Sequence, residues 1–262
     1  MGLKVGEVRL EKHNNHWGIM FAKEVEELWD YFGDVALRIS HIGSTAIDGL
    51  EAKPIIDIAV AVRDLSDFDQ VAHKFSKDPD YSIKKDSDPG EILIRKGPEG
   101  NRSFYIHVMD IDSKRYKDTI VFRDTLLRDE AICNDYRALK HHLAEKYPHN
   151  RKKYTSGKAD FIETTLKMVW ARSALVPLSV ITCILAVTFG IGLWMKLALP
   201  INLTFSGVPA HNVAIIAMLF GGILGAICLG AVIVLLVSFF KSLRKYIAIV
   251  NKIPKRAKKA SE

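Results

Sequence analysis

The sequence predicts an α+β domain followed by two transmembrane helices and a basic tail. Three observations carry that reading. Strand-like runs are crowded into the first part of the chain, before about Val108, and helix-like runs follow them. Charge is balanced up to Arg172 and one-signed beyond it: residues 1–172 hold 28 Lys and Arg against 29 Asp and Glu, whereas residues 173–262 hold nine against one. Two later stretches, Ser173 to Met195 and Asn212 to Phe240, run for 23 and 29 residues without a charge. Each exceeds the roughly 20 residues a helix needs to cross a bilayer core.

This segregation explains why mean hydropathy is slightly positive although 26% of the 262 residues are charged. It also relocates the net charge of +7, which belongs to the C-terminal part. The first 172 residues are therefore not expected to bind nucleic acid. Cys133, Cys183 and Cys228 are far apart and share no metal-ligand spacing, which argues against a disulfide framework and against zinc.

Residues 5–12 read as a short edge strand. Apolar positions 17, 20, 21, 25, 28, 29 and 32 have helical spacing, with Asn14 or Asn15 as cap and Trp17 and Trp29 as core. Ala36 to Ile42 and the β-branched run Ile55 to Val62 read as strands. Ser66 to Phe75 reads as a helix. Tyr81 to Ile83, Glu91 to Arg95 and Ser103 to Val108 read as strands, divided by turns at Asp88-Pro89-Gly90 and Gly97-Pro98-Glu99-Gly100. Lys114 to Leu127, Asp129 to Tyr147 and Thr155 to Arg172 read as helices. The domains expected are 1–172, a membrane hairpin over 173–240 with spans 174–195 and 212–240, and a tail over 241–262.

Lys167 and Arg172 precede the first span, and the tail carries eight Lys and Arg against one acid. The positive-inside rule places the soluble domain and the tail in the cytoplasm, with the lipid bilayer as a partner. Gly221-x3-Gly225, Ala226-x3-Gly230 and Ala186-x3-Gly190 are spaced for close helix packing. Neither span contains an ionisable side chain of the Asp, Glu, Lys, Arg type, which argues against an ion pathway. Asn202-Leu203-Thr204 fits a glycosylation sequon, read here as a chance match.

The chemistry is concentrated in the turn between the strands Ala36 to Ile42 and Ile55 to Val62. Gly43 lets the backbone approach a phosphate, Ser44 adds a hydroxyl, and Asp57 returns a carboxylate beside the turn, where it can hold a hard cation. Asp57 alternatively accepts hydrogen bonds from the Gly43–Thr45 turn or pairs with Lys53. Lys53 either reaches a phosphate or is a solvated turn lysine. His107 points away from Ile106 and Val108, as alternation along a strand requires. It is a candidate metal ligand or acid–base group, with a satisfied structural role as the alternative. His41 can face the same site. Arg95, Arg102 and Arg123 are anion-binding candidates if they converge.

His41 to Val62, HIGSTAIDGLEAKPIIDIAVAV, resembles the signature of the GrpB-like family, which is placed in the nucleotidyltransferase superfamily with the DNA polymerase beta fold. The resemblance continues through Arg102 to Val108, Phe122-Arg123-Asp124, Tyr136 to Lys140 and Tyr154 to Phe161, and covers roughly residues 5–170. The superfamily pattern is Gly-Gly or Gly-Ser, then acid-x-acid on a strand. Gly43, Ser44 and Asp57 match it; Ala59 stands where the second acid belongs. The resemblance implies a nucleotidyltransferase-like mixed sheet with helices. It further implies a nucleotide or phosphorylated small molecule held at Gly43, Ser44, Lys53, Arg102 and Arg123, with Mg2+ on Asp57 and catalysis by Asp57 and His107. The alternative is a catalytically inactive domain that binds such a ligand at the membrane.

Overall fold

The computed structural model describes residues 3–4, 6–84, 89–198, 204–205 and 208–253. Asp88, the Asn202 sequon residue and the tail residues from Pro254 lie outside them. β2 (Arg38–Ile42), β3 (Ile56–Val62), β7 (Phe104–Asp110), β5 (Ile92–Lys96) and β4 (Tyr81–Ile83) hydrogen-bond in that order into one five-stranded sheet. β3 and β7 are parallel and every other neighbouring pair is antiparallel. The fold is α+β with a mixed sheet, as the sequence predicts.

Alternation along β3 sorts the two faces. Ile56, Ile58, Val60 and Val62 pack with Trp17, Leu28 and Phe32 of α1 (His16–Phe32) and Phe75 of α2 (Ala72–Lys77). Asp57, Ala59 and Ala61 face the other way, where Ala59 and Ala61 pack with Ile42, Met109 and Tyr116 of α3 (Lys114–Arg128). α4 (Glu130–Lys146) and α5 (Arg151–Ser156) follow. Phe122 meets Tyr136 edge to face at 5.3 Å, and Tyr136 stacks on Phe161 at 5.5 Å.

Several elements differ from the sequence expectation. The N-terminal strand is β1 (Leu3–Lys4), paired with β6 (Asn101–Arg102), and within 6–12 a single bridge joins Glu11 to Ala52. The helix expected over Ser66 to Phe75 breaks at Val71. Asp64 caps a 3-10 turn over Leu65–Gln70 through Ser66, with Asp67 reaching back to the Asp64 amide, and α2 starts after it. Asn14, not Asn15, supplies the side-chain cap of α1, accepting from the His16 amide. Trp29 is 41% exposed, just off the buried stripe that runs through Trp17, Glu24, Leu28 and Phe32. Glu24 takes a stripe position because Lys96 Nζ donates to it at 2.6 Å and the Tyr81 hydroxyl at 2.8 Å.

The helix expected over Thr155 to Arg172 does not end there. α6 (Ala159–Ala198) runs on through the first uncharged stretch. After β8 (Thr204–Phe205) and β9 (Val208–Pro209), α7 (Ala210–Asn251) carries the second and continues through Lys241 into the segment expected as tail. Among the described residues, two helices are long and apolar enough to cross a membrane. The chain divides into two compact units, one of Met1–Leu166 with the segment from Ala248, the other of Lys167–Ile247. In the second unit Gly221 is the close-packing position: a Cβ there would stand 2.6 Å from the Phe189 nitrogen and 2.7 Å from the Leu185 carbonyl. Gly190 and Gly230 have open space instead.

Lys96 neutralises a buried glutamate, so its removal leaves Glu24 uncompensated. Lys96→Met is expected to destabilise the chain by about 3–5 kcal/mol, the usual cost of breaking a buried ion pair. Urea denaturation followed by Trp fluorescence measures it, and an unchanged midpoint would show that water, not Lys96, satisfies Glu24.

Candidate functional site

Gly43 ends β2 with φ +69, in the left-handed region. A side chain is barred there for a second reason: a Cβ on Gly43 would lie 2.5 Å from Asp57 Oδ2. The register explains the proximity, because Ile42 lies opposite Asp57 across the β2–β3 pair. The Asp57 carboxylate thus occupies the space left by the missing side chain.

The parallel β3–β7 pair sets Ala59 opposite His107. His107 Nε2 is 3.6 Å from Asp57 Oδ1, and Nδ1 is 3.1 Å from Glu91 Oε2. Arg115 closes the row, its Nε 3.0 Å from Glu91 Oε2 and its Nη2 2.9 Å from Oε1. Burial alone would push His107 down; hydrogen bonds to and charges of Asp57 and Glu91 outweigh it and hold the imidazole up to about 9. Burial alone would push Asp57 up, but His107, with help from Lys53 and Lys158, leaves it below the usual carboxylate range. Near neutral pH the pair is an imidazolium between two carboxylates.

Two cavities share Gly43, Ser44, Asp57 and His107. One, of about 680 Å3, is mainly apolar, with Ile42, Met109, Phe122, Leu126, Ile162 and Leu166 in its wall. The other, of about 520 Å3, is lined by seven Lys and Arg side chains against two carboxylates, Asp57 and Glu91. Lys53 and Lys158 lie over the same Tyr154 ring, at 5.4 and 4.8 Å. Burial first, then Lys158 and Arg151, bring Lys53 down to about 7. Lys140, 1% exposed, is pushed well below the usual lysine range by burial and Lys158, and its Nζ donates to the Glu51 carbonyl.

The structure therefore brings Gly43, Ser44, Lys53, Asp57 and His107 together. Arg123 lines the apolar cavity, but its Nη1 donates to the His41 carbonyl at 3.0 Å and its Nε and Nη2 to Asp124. It clamps α3 to the end of β2. Arg102 is not in the wall of either cavity that holds Asp57. It donates to the Gly97 carbonyl and lines a third cavity with Arg95, Tyr105 and Arg151. His41 shares a hydrogen bond with Thr45 Oγ1 at 3.0 Å and stacks on Phe21, and burial pushes it down to about 4, so it braces the turn as a neutral group. Sequence reasoning missed Glu91, Arg115, Lys140, Arg151 and Lys158. Glu91 shares its parity with Leu93 and Arg95, and Leu93 lies opposite His107. Lys140 stands one helical turn after the buried Tyr136. Both signals are readable.

Fold and site define an α+β domain built on a glycine turn, one carboxylate and a cation-lined cavity. Residues 7–168 match the family described as GrpB protein, and the chain belongs to that family. It is 34% identical over 170 residues to the glutamate-rich protein GrpB of Alkalihalophilus pseudofirmus, covering 63% of this chain and 98% of that one. It is 32% identical to the UPF0157 protein YqkA of Bacillus subtilis over 60% of this chain, spanning 46% of that protein. The crystal structure of conserved protein GrpB from Enterococcus faecalis is similar with a TM-score of 0.56 and 29% identity, covering 62% of this chain and 99% of that one.

The charge states give a pH signature with a fixed sign. The folded chain raises His107 from 6.5 to about 9, so its contribution to stability is complete below about pH 6.5 and is lost as pH rises through about 9. Lys53, lowered from 10.5 to about 7, works in the opposite sense over that range. The comparison with His107→Gln isolates the histidine: the stability gap between wild type and variant is expected to shrink between pH 6.5 and 9.5 in urea titrations. A gap independent of pH would refute the imidazolium.

Gly43→Ala tests the turn. The backbone conformation alone costs about 1–3 kcal/mol for a non-glycine residue, and the methyl group displaces Asp57. Loss of stability together with a lower His107 pKa by NMR is expected; a folded variant with an unaltered His107 would refute the steric argument.

Proposed function

We propose that this GrpB-family domain binds a nucleotide or another phosphorylated small molecule, with the phosphates in the cation-lined cavity beside Gly43 and Ser44. One observation carries the reading: seven Lys and Arg side chains converge on this cavity against two carboxylates, and burial with the neighbouring cations lowers both Lys53 and Lys140. Crowded cations are costly in a fold that gains nothing from them, and a bound polyanion repays the repulsion. The apolar cavity next to it receives the organic part of the ligand.

A second reading, nucleotidyl transfer, is favoured by the position of Asp57 and His107 at the junction of the two cavities. His107 near neutral pH is a proton donor at that junction. Magnesium favours one or two carboxylates plus substrate phosphates. The described residues contain no group of three or more His, Cys, Asp or Glu that could hold a metal ion. Asp57 would be the protein ligand of a single ion arriving with a triphosphate, and such an ion would neutralise charge on the transferring phosphoryl group. The two-helix hairpin would tether the domain to a membrane, with the domain and the tail on the cytoplasmic side.

Isothermal titration of the full chain in detergent with tripolyphosphate and with adenosine triphosphate, with and without magnesium, tests both readings. Lys53→Met is expected to weaken binding roughly ten- to a hundredfold, the loss of one charge-assisted hydrogen bond. A phosphate beside Lys53 favours its charged form, so binding at pH 8 should take up protons, visible as a dependence of the heat on buffer ionisation enthalpy. No binding of either probe would refute the phosphate reading. Tight binding that Asp57→Asn leaves unaltered in magnesium would leave the binding reading and remove the transferase.

A further inference from the structure

We infer that the cation-lined cavity continues into a second anion subsite, so that the ligand carries two phosphate groups separated by an organic spacer. The inference rests on the phosphate reading of the Lys53 cavity and extends it.

The neighbouring cavity, of about 540 Å3, gathers Arg95, Arg102, Arg151 and Lys152 around one carboxylate, Glu99. It adjoins the Lys53 cavity, because Arg95, Tyr105 and Arg151 line both. Arg95 lies opposite Tyr105 in the β5–β7 pair, and the Arg151 guanidinium sits 5.6 Å from the Tyr105 ring centre. The shared wall is thus a guanidinium, a ring and a second guanidinium. Its donors are not all used: Arg95 Nε and Arg151 Nη2 are buried without a hydrogen-bond partner. A buried guanidinium N–H without an acceptor is costly, and a phosphate oxygen is the acceptor whose geometry and charge suit it best. Arg102 is fixed at this cavity by its bond to the Gly97 carbonyl, which gives a role to an arginine that stands away from Asp57.

A pyrophosphate or triphosphate is contiguous and short. Held at Gly43 and Lys53, it engages the first cavity. A phosphate in the second cavity must reach across the Arg95–Tyr105–Arg151 wall, which calls for a spacer such as a sugar. A second site on one ligand raises affinity without any change in the first.

Two isomers separate the possibilities, since they share the same atoms: adenosine 5′-diphosphate, with joined phosphates, and adenosine 3′,5′-bisphosphate, with separated ones. The separated pair can carry one more negative charge, so substitutions at Arg102 and Lys152 decide whether any excess affinity is local to the second cavity. The full chain in detergent is titrated with each at one salt concentration, because such contacts are screened. The 3′,5′-isomer is expected to bind at least tenfold tighter. Arg102→Gln and Lys152→Gln lie outside the Lys53 cavity, and Lys152 is exposed, so that variant keeps the fold. Each should remove most of the excess affinity of the 3′,5′-isomer and leave the diphosphate unchanged. Equal affinity of the two isomers overturns the second subsite and leaves the first. An excess that survives both substitutions also overturns it, because the second phosphate is then held elsewhere. Binding of neither isomer overturns the phosphate reading itself.

Discussion

The Asp57 carboxylate lies where a side chain on Gly43 would be, and the site depends on that exclusion. The glycine is needed twice, for a positive φ and for the 2.5 Å that a Cβ would leave to Asp57 Oδ2. The β2–β3 register supplies the approach by setting Ile42 against Asp57. Register in turn follows from burial, because a slip of one residue would turn Ile56, Ile58, Val60 and Val62 out of the α1 core and Asp57 into it. The apolar pattern of one strand thus fixes the position of a charge on its other face. The parallel pairing with β7 completes the arrangement by delivering His107 to the same face.

Charge is then arranged in two blocks with opposite logic. Around His107 every charge is answered: Asp57 on one nitrogen, Glu91 on the other, Arg115 on Glu91. The row fixes both imidazole nitrogens as donors while the proton is held. Around Lys53 the balance is broken, with burial and neighbouring cations lowering Lys53 and Lys140 instead of carboxylates raising them. Asp57 lines the cavity of that block and belongs to the first. Asp57 therefore couples the two: Lys53 and Lys158 help to keep it ionised, and it helps to keep Lys53 charged.

Much of this was legible in sequence. The strand Ile55 to Val62 was clear from its β-branched run, and the alternation that aims His107 away from Ile106 and Val108 followed from a period of two. The separation of balanced and uncharged segments made the two long apolar helices plain. Three kinds of information were hidden. Glu24 occupies a position of the buried stripe while Trp29 lies just off it, and a glutamate announces no partner such as Lys96 of β5. The end of the helix expected over Thr155 to Arg172 was placed at a change in composition, but hydrogen bonding along a helix does not sense composition, and α6 passes through it. The cation Lys140 comes from α4, whereas Arg151 opens α5 and Lys158 lies in the turn after it, so no single helical period connects all three. Arg102 and Arg123 failed to converge with Lys53 because each is captured elsewhere: Arg102 by the nearby Gly97 carbonyl, Arg123 by the His41 carbonyl of β2 and by Asp124.

Position 59 shows why β3 carries a single acid on this face. Ala59 faces the same side as Asp57, yet it is fully buried among Ile42, Ala61, Met109 and Tyr116. A carboxylate there would be desolvated against apolar neighbours, with His107 opposite on β7 as the cation and Ser40 opposite on β2 as a hydroxyl. His107 already answers Asp57 and Glu91, and one imidazolium cannot neutralise a third acid as well. The second carboxylate near Asp57 comes instead from Glu91, just before β5, on the far side of the histidine. It is tied there by Arg115 from α3, so its lone pairs are spent on the guanidinium and the imidazole. A carboxylate engaged in this way positions a proton donor and competes poorly for a cation. The chain thus keeps two carboxylates near the turn but separates them by a protonated ring that answers both.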